Sequence, residues 1–284
     1  MAEKNPLLKP YLKWAGGKRQ LLPEIRKHLP PDMRGITYYE PFAGAGAVLF
    51  DLQPKKAVIN DCNAELMMTY RVIREQIGEL IQALRVHQAK NTKTYYYEIR
   101  NIDRDPAAYR RLTDAEKAAR LVFLNKTCYN GLYRVNSRGR FNVPHGRYKN
   151  PVICDEPLLR AAHAYLAAGG IDIRCGDFEA AMQDAAAESF VYFDPPYHSP
   201  AGANFTAYQP DGFGEAEQIR LRDLFLALTS RGVRCLLSNA DTPFIRRLYA
   251  DRRLEIIQVP ARRFINSKTG GRGAVNETLI KNWK

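Results

Sequence analysis

The residues best placed to do chemistry follow directly on an apolar run at Ser189–Phe193. They are Asp194, Pro195, Pro196 and Tyr197. A short apolar run of this kind is typical of a parallel strand that is buried on both faces. Proline has no N–H for a sheet ladder and keeps the residue before it extended, so we expect the strand to end at Asp194. The acid then lies at the carboxyl end of a strand, where open α/β sheets bind their ligands.

This segment suits the activation of an exocyclic amine on a nucleobase. Such a nitrogen is a poor nucleophile because its lone pair is delocalised into the ring. If the carboxylate of Asp194 accepts one N–H and the carbonyl of Pro195 accepts the other, the nitrogen moves toward tetrahedral geometry and its lone pair is freed. Tyr197 offers a flat face on which a base can stack. A Pro-rich turn without any catalytic role is the alternative interpretation.

The composition indicates a basic globular protein. Its 284 residues are 45% hydrophobic, which is enough chain for one large domain or two modest ones. The net charge of +13 favours a polyanionic partner. The five cysteines are widely spaced and include no CxxC pair, as expected of reduced thiols in a cytosolic protein. No apolar run approaches the length of a membrane span, and the scattered His residues predict no metal site.

A second candidate site combines a glycine-rich turn with two acids. The turn follows a predicted strand that begins at Ile36, and it comprises Glu40, Pro41, Phe42, Ala43, Gly44, Ala45 and Gly46. A second predicted strand over 57–61 ends in Asp61, the position whose acid takes ribose hydroxyls in Rossmann-like sheets. Leu49 replaces the third glycine of GxGxxG, and Glu40 lies where a pyrophosphate would pass, so NAD is disfavoured. The acids favour a cationic ligand such as S-adenosylmethionine; a βαβ packing turn is the alternative.

Two further segments can line the same site. Around a glycine pair, Lys18 can meet an anion and Trp14 can cover an aromatic or cationic group. The P-loop spacing is absent there. A predicted strand over 171–175 leads to Asp177 and Phe178, which can flank the adenine of a cofactor.

Residues 126–149 form a basic segment that contains six Lys or Arg and no acid. Asparagines and aromatic residues are interleaved with the charges, and Asn130-Gly131 predicts a tight turn. Arg and Asn can read base edges, Lys and Arg can hold phosphates, and tyrosines can wedge into an opened helix. A solvated basic loop is the alternative.

The remaining pattern predicts the elements that position these residues. Apolar residues recur at near-helical spacing over 63–122, with a capping box at Thr113. Further predicted elements are helices over 20–28, 157–168 and 215–229 and a strand over 233–237. A loop over 204–208 can close over the site, and a basic loop over 262–273 is either a second phosphate contact or an exposed hairpin.

Together these motifs resemble the bacterial DNA adenine-N6 methyltransferases of the Dam type, the D12 class with the α arrangement of motifs. The matching stretches are Lys13–Lys18, Glu40–Gly46, Asn130–Leu132 with Arg134, Phe141–Tyr148 without His145, Asp194–Tyr197 and Asn204–Tyr208. They span nearly the whole chain in the order of the family.

The resemblance implies an α/β fold: a Rossmann-like S-adenosylmethionine-dependent methyltransferase sheet with an inserted, mainly helical DNA-recognition domain. Residues 1–62 and 170–284 would form the catalytic domain. Residues 63–169 would form the recognition domain, with a basic β-hairpin loop around 126–149. The implied reaction transfers a methyl group from S-adenosylmethionine to N6 of a flipped adenine in double-stranded DNA, within GATC if close Dam relatives are the guide. We expect a cytoplasmic, nucleoid-associated monomer that binds no membrane.

The resemblance also implies roles for single residues. Asp194, Pro195, Pro196 and Tyr197 form the catalytic set, with the flipped adenine on Tyr197. Trp14, Lys18, Asp61 and Asp194 would contact the cofactor, together with the candidates Glu40, Pro41, Phe42, Gly44, Gly46, Asp177 and Phe178. Lys13, Leu132, Arg134 and Pro144 would read the site and Tyr129 would wedge into the stack, with Asn130, Asn136, Arg147, Tyr148 and Lys149 as further DNA-binding candidates.

Three residues depart from the pattern of close relatives. Tyr133 and Val135 flank Arg134, where a Cys and a Tyr are expected, and His145 replaces an aromatic residue next to Pro144. These departures bear on sequence specificity and not on the reaction. Two other functions are compatible with parts of the pattern: a methylase that acts on RNA or on a protein amide, and a DNA-binding protein that has lost catalysis.

Overall fold

The computed structural model describes residues 4–199, 212–259 and 276–283. The loops predicted at 204–208 and 262–273 lie outside the described residues. No helix in the described ranges is long and apolar enough to cross a membrane.

A mixed sheet forms the centre of the described structure, in the order β3-β2-β1-β4-β5-β7-β6. Its strands are β1 Thr37–Glu40, β2 Ala57–Ile59, β3 Ile171–Ile173, β4 Ser189–Phe193, β5 Arg234–Ala240, β6 Glu255–Val259 and β7 Glu277–Lys281. The first five in spatial order are parallel, whereas β7 runs antiparallel to both β5 and β6. The α/β class predicted from the sequence is therefore confirmed.

Helices flank this sheet and fill the segment between β2 and β3. Those of the described residues are α1 Leu22–Lys27, α2 Ala47–Leu52, α3 Ala64–Glu75, α4 Ile77–Lys90, α5 Lys93–Asn101, α6 Pro106–Arg111, α7 Asp114–Thr127, α8 Glu156–Ala167, α9 Glu215–Ser230 and α10 Pro243–Leu248. Short 3-10 turns cover Lys18–Gln20, Ile102–Arg104, Tyr129–Gly131 and Ala180–Met182. The predicted helix over 20–28 is shorter than expected, because a 3-10 turn precedes it.

The helices between β2 and β3 are organised around α7. The capping box predicted at Thr113 is present, since its side chain and that of Glu116 each accept a backbone N–H of the other residue. Helix α7 packs against α3, α4 and α5, and α3 packs against α8 and β3. One apolar cluster runs from Ile59 on β2 through Leu66 on α3 to Phe123 on α7. The division into residues 63–169 and the rest of the chain stays a prediction.

Strand β4 is buried on both faces, as its apolar run predicts. Phe190 and Tyr192 pack into the cluster shared with the helical segment, whereas Val191 and Phe193 pack into a second cluster under α9. Full burial of one such side chain stabilises the fold by about 1.5–3 kcal/mol, so both faces fix the register of the strand. Because β1 to β4 are parallel, the residues that follow them meet at one edge of the sheet.

Candidate active site

A cavity of about 1060 Å³ opens at this edge of the sheet. It is lined by all four predicted catalytic residues and by every predicted cofactor residue except Gly46. Gly46 instead packs below the turn, where an added Cβ would lie 2.6 Å from the hydroxyl oxygen of Tyr70. Its positive φ of 72° begins helix α2. Gly46 therefore lies behind the turn and not among the residues that line the cavity, and its contact with the cofactor stays a prediction.

Asp194 lies at the end of β4 with two donors on one oxygen. The Lys18 ammonium lies 2.7 Å from Oδ1, and the hydroxyl of Ser238 donates to the same atom at 3.0 Å. Burial raises the pKa of Asp194, whereas the ion pair with Lys18 and the Ser238 hydrogen bond lower it. These two donors stabilise the ionised form of a carboxylate that has left water.

Tyr197 presents its ring to the same cation. The Nζ atom of Lys18 lies 4.4 Å from the ring centroid, a cation–π arrangement. The Tyr197 hydroxyl donates to Oε2 of Glu277 at 2.9 Å, which ties the motif to strand β7. The ring face predicted to receive a base is thus covered by Lys18, which contacts the catalytic segment directly.

The glycine turn is built on buried acids. Glu40 ends β1, and its Oε2 accepts the Tyr38 hydroxyl at 2.9 Å and the Leu49 N–H at 3.1 Å. Burial, assisted by the nearby charges of Asp194 and Asp61 and opposed by the hydrogen bonds from Tyr38 and Leu49, raises the pKa of Glu40 to about 8. A cation bound in the cavity favours the ionised form of such a carboxyl group.

Asp61 supports the turn from the neighbouring strand. Its Oδ2 accepts the N–H of Gly44 at 3.0 Å and its Oδ1 accepts the N–H of Asn63 at 2.9 Å. Burial raises the pKa of Asp61, and these backbone donors lower it. At Gly44, with φ of 50°, an added Cβ would lie 2.9 Å from the Trp14 ring, so only glycine allows this approach.

Three aromatic rings line another part of the cavity. The ring centroids of Phe42, Phe178 and Phe213 lie 5.2 to 6.0 Å apart. Arg220 stacks on Phe178 at 4.4 Å and pairs with Asp177. Flat apolar faces with a neighbouring carboxylate suit an adenine ring, although the Asp177 carboxylate is shared with Arg220.

The predicted DNA-binding residues, which are called the basic face below, are all exposed in the structure. The ten residues are Lys13, Tyr129, Asn130, Leu132, Arg134, Asn136, Pro144, Arg147, Tyr148 and Lys149. The tight turn predicted at Asn130-Gly131 is confirmed, because both residues have positive φ and the Leu132 N–H donates to the Tyr129 carbonyl. Lys13 reaches this turn from the N-terminal segment, and its ammonium lies 4.4 Å from the centroid of the Tyr148 ring.

A short antiparallel hairpin carries Arg134. Val135 pairs with Phe141, and the Asn136 side chain accepts the N–H groups of Arg138 and Arg140. Asn136 therefore uses its oxygen inside the hairpin. The Arg134 guanidinium donates to the side-chain oxygen of Asn142 at 2.7 Å. Across the described ranges, no carboxylate lies within 4.0 Å of the cationic groups of Arg134, Arg138, Arg140, Arg147 or Lys149.

The three departures from the family pattern pack toward the protein. The Tyr133 ring stacks on Trp14 at 5.2 Å and its hydroxyl donates to Glu65 at 3.1 Å. His145 meets the edge of Tyr96, and Val135 forms the hairpin bridge. These three residues pack beneath the basic face, whereas Leu132, Arg134 and Pro144 remain exposed on it.

Several site residues carry no motif signal in the sequence. Asn125 is buried; its side chain accepts the Lys13 N–H and donates to the carbonyls of Lys13 and Gly131. Glu277 reaches Tyr197 only because β7 inserts antiparallel next to β5. Ser238 and Asn239 are polar residues that follow an apolar strand, and that signal could have placed them beside the cavity.

Comparison with known proteins identifies the chain's relatives. The family model described as D12 class N6 adenine-specific DNA methyltransferase matches residues 14–265. The Type II methyltransferase M1.LlaDCHI of Lactococcus lactis subsp. cremoris is 43% identical over 100% of this chain and 99% of its own length. The Type II methyltransferase M.MjaIII of Methanocaldococcus jannaschii is 41% identical over 97% and 99%, respectively. The DNA adenine methylase of Escherichia coli strain K12 is 36% identical over 95% and 93%.

Proposed function

The chain belongs to the D12 class of N6 adenine-specific DNA methyltransferases, and on this premise we propose how its residues divide the reaction. The enzyme transfers a methyl group from S-adenosylmethionine to N6 of an adenine that has left the stack of double-stranded DNA, within GATC. The observation that carries this proposal is the convergence of Asp194, the glycine turn and the aromatic trio on one cavity beside an acid-free basic face. The alternatives of an RNA or protein-amide methylase and of a DNA-binding protein are disfavoured by the family.

The cavity fits S-adenosylmethionine by its donor set. Glu40, Asp61 and Asp194 suit a ligand that carries a sulfonium and an ammonium, and Phe42 with Phe178 suits an adenine ring. The volume of about 1060 Å³ lies at the upper end of ordinary ligand pockets, which span roughly 300–1,000 Å³. It can therefore hold a cofactor and a base together. When bound, S-adenosylmethionine supplies an electrophilic methyl group.

Asp194 and the Pro195 carbonyl act on the target adenine. N6 cannot reach the cavity from inside a duplex, so the base must flip onto Tyr197. The Lys18 ammonium that covers the Tyr197 ring is displaced when the base stacks there. Asp194 and the Pro195 carbonyl then each accept one hydrogen bond from the N6 amino group, which leaves the nitrogen lone pair available. This contribution consists of positioning and electrostatic stabilisation.

The exposed basic face binds and reads the duplex. Arg147 and Lys149 have no acidic partner among the described residues and are available to phosphates. Leu132, Arg134 and Pro144 contact base edges, and Tyr129 fills the space that the flipped adenine leaves. The likeness to proteins named DNA adenine methylase supports adenine in DNA as the substrate, and the resemblance to Dam-type enzymes is the basis for proposing GATC. The names of the first two relatives support a role in restriction-modification.

The test is methyl transfer from labelled S-adenosylmethionine to two duplexes, one with a single GATC and one with the same bases scrambled. We expect label in the GATC duplex only, mapped to adenine N6. Label in both duplexes would retain the reaction and remove the GATC assignment. We also propose that the enzyme is a monomer that acts in the cytoplasm on the DNA of the nucleoid. Light scattering of the enzyme, alone and on DNA, tests whether it is a monomer.

A further inference from the structure

The carboxyl end of strand β5 lies directly behind the Asp194–Tyr197 segment. Its residues Ser238 and Asn239 are fully buried, and no step of the proposed reaction uses them. We propose that both are positioning residues for methyl transfer: Ser238 selects the oxygen of Asp194 that accepts from the adenine, and Asn239 selects the backbone carbonyl that does so. This inference rests on the proposed roles of Asp194 and the Pro195 carbonyl.

Ser238 leaves one oxygen of Asp194 for the substrate. Its hydroxyl donates to Oδ1 at 3.0 Å, and the Lys18 ammonium reaches the same oxygen at 2.7 Å. None of the hydrogen bonds formed by the described residues ends on Oδ2. Ser238 stays on Oδ1 when Lys18 leaves the ring of Tyr197, so Oδ2, which has no such partner, is the oxygen that accepts the hydrogen bond from N6.

Tyr192 fixes the direction of the Ser238 proton. The two hydroxyl oxygens lie 2.9 Å apart, and Tyr192 is fully buried within β4. Burial raises the pKa of Tyr192, so its hydroxyl keeps its proton and can donate to Ser238. The Ser238 proton is then directed to Asp194, because the other nearby acceptor, the Phe193 carbonyl, is 3.5 Å away.

Asn239 acts on the backbone of the motif through Gln218 of α9. The Gln218 amide donates to the carbonyl of Pro196 at 2.9 Å, and the Asn239 amide donates to Gln218 Oε1 at 3.0 Å. Asn239 Oδ1 also accepts the N–H of His198 at 3.0 Å. The backbone is therefore fixed on both sides of Tyr197 by two side chains that are fully buried.

This amide pair decides which carbonyl is available. The Pro196 carbonyl is already taken by Gln218, whereas no donor among the described residues binds the carbonyl of Pro195. Asp194 Oδ2 and the Pro195 carbonyl are thus two acceptors of the motif that no hydrogen bond from a described residue occupies. Two acceptors are what the two hydrogens of N6 require.

The first test compares Ser238→Ala with Ser189→Ala, and both steady-state and single-turnover methylation are measured across pH. Ser189 is a buried serine at the other end of the same sheet, and its hydroxyl oxygen accepts one hydrogen bond. We expect Ser238→Ala to lower kcat by about tenfold or more, with little change in KM for DNA or cofactor. The acid limb of its pH profile moves to higher pH, because the charged carboxylate has lost a donor. The Ser189→Ala control keeps the wild-type profile.

The second test uses Tyr192→Phe, which keeps the buried ring and removes only the hydroxyl that donates to Ser238. This variant tests the same hydrogen bond if Ser238→Ala does not fold. Tyr165→Phe is its matched control, since the Tyr165 hydroxyl also donates one hydrogen bond, to the Pro54 carbonyl. We expect Tyr192→Phe to lower kcat less than Ser238→Ala does. The double variant should be no slower than Ser238→Ala alone, because both changes act through one hydroxyl.

The third test removes single amide donors at constant shape. Gln218→Glu loses the donor to the Pro196 carbonyl, and Gln88→Glu is the control because Gln88 donates to the carbonyl of Pro151 on another face. We expect kcat to fall for Gln218→Glu and for Asn239→Asp while Gln88→Glu keeps the wild-type rate.

Three outcomes distinguish a failure of this inference from a failure of the proposed function. An inactive wild-type enzyme would remove the proposed function itself. An active wild type whose Ser238→Ala and Gln218→Glu variants match their controls in kcat and in pH profile would overturn the positioning roles alone. A rise in KM for the cofactor at unchanged kcat would overturn them too, because it would assign these side chains to binding.

Discussion

The charged groups of the cavity have partners within the protein, whereas those of the basic face are left without an acidic partner among the described residues. In the cavity, Asp61 and Asp194 each accept two hydrogen bonds or ion pairs from the protein. On the basic face, the partners of Arg134 among the described residues are the side-chain and backbone oxygens of Asn142. The acids are thus ordered before any ligand binds, as catalysis requires, whereas the cations are left for a partner that carries its own negative charge.

Several arginines elsewhere on the surface do form ion pairs with acids. Arg34, Arg246 and Arg253 each form an ion pair with a nearby aspartate. A basic protein can therefore pair its arginines with acids, and the hairpin departs from that pattern. Neutralisation of phosphates is the physical reason that we assign to it.

Arg134→Ala tests whether the basic face reads the DNA sequence, and we expect it to have the largest effect of the changes on that face. A bidentate contact to a base discriminates by about 1–3 kcal/mol, so we expect preference for the cognate site to fall by roughly 10- to 100-fold. The measurement is the ratio of kcat/KM for a cognate and a singly altered duplex. Arg138→Ala, in the same hairpin, is the control and should lower both rates alike. An unchanged ratio in Arg134→Ala would exclude this residue from the reading set.

Glu40 tests the ordered acids of the cavity. With a pKa of about 8, it is protonated at neutral pH and ionises as the pH rises. A cationic ligand binds better to the ionised form, so the affinity for S-adenosylmethionine should increase on the order of tenfold from pH 6.5 to 8. Calorimetry in buffers of different ionisation enthalpy should show a released proton. Glu40→Gln should bind more weakly and without this slope; the same slope in the variant would assign the titration to another group.

The salt dependence of DNA binding should show the smallest effect. Each phosphate contact contributes about −0.9 to the slope of log K against log salt. Lys149→Ala should reduce that slope by about one, equivalent to roughly fourfold between 50 and 200 mM salt. Arg34→Ala removes an arginine that is paired with Asp32 and should leave the slope unchanged. Equal slopes for both variants would contradict the claim that cations without an acidic partner bind phosphates and that ion-paired cations do not.

The sequence predicts the cavity better than the interactions inside it. Asp194 is recognisable because an apolar strand must end before Pro195, and Asp61 and Asp177 follow the same logic on neighbouring strands. Such local rules predict which residues meet at the sheet edge. They also predict the Asn130-Gly131 turn, because its backbone conformation depends on those two residues alone.

Contacts between distant segments could not be predicted in the same way. The Lys18 ammonium lies on Tyr197 only because the N-terminal segment crosses the end of β4. Glu277 reaches Tyr197 through the antiparallel insertion of β7, which no periodicity encodes. The surroundings of Gly46 could not be predicted for a related reason: its neighbours Tyr70 and Phe50 come from helices whose packing the glycine pattern does not specify.

The proposed reaction depends on Asp194 as an acceptor for a hydrogen of N6, and Asp194→Ala removes that acceptor. Single-turnover methylation of a GATC duplex and the Kd for the same duplex would be measured on one preparation. We expect methylation to fall by at least about a thousandfold, with the Kd for DNA nearly unchanged, since the basic face is intact. Loss of DNA binding in parallel with activity would assign Asp194 a structural role and would contradict its role in catalysis.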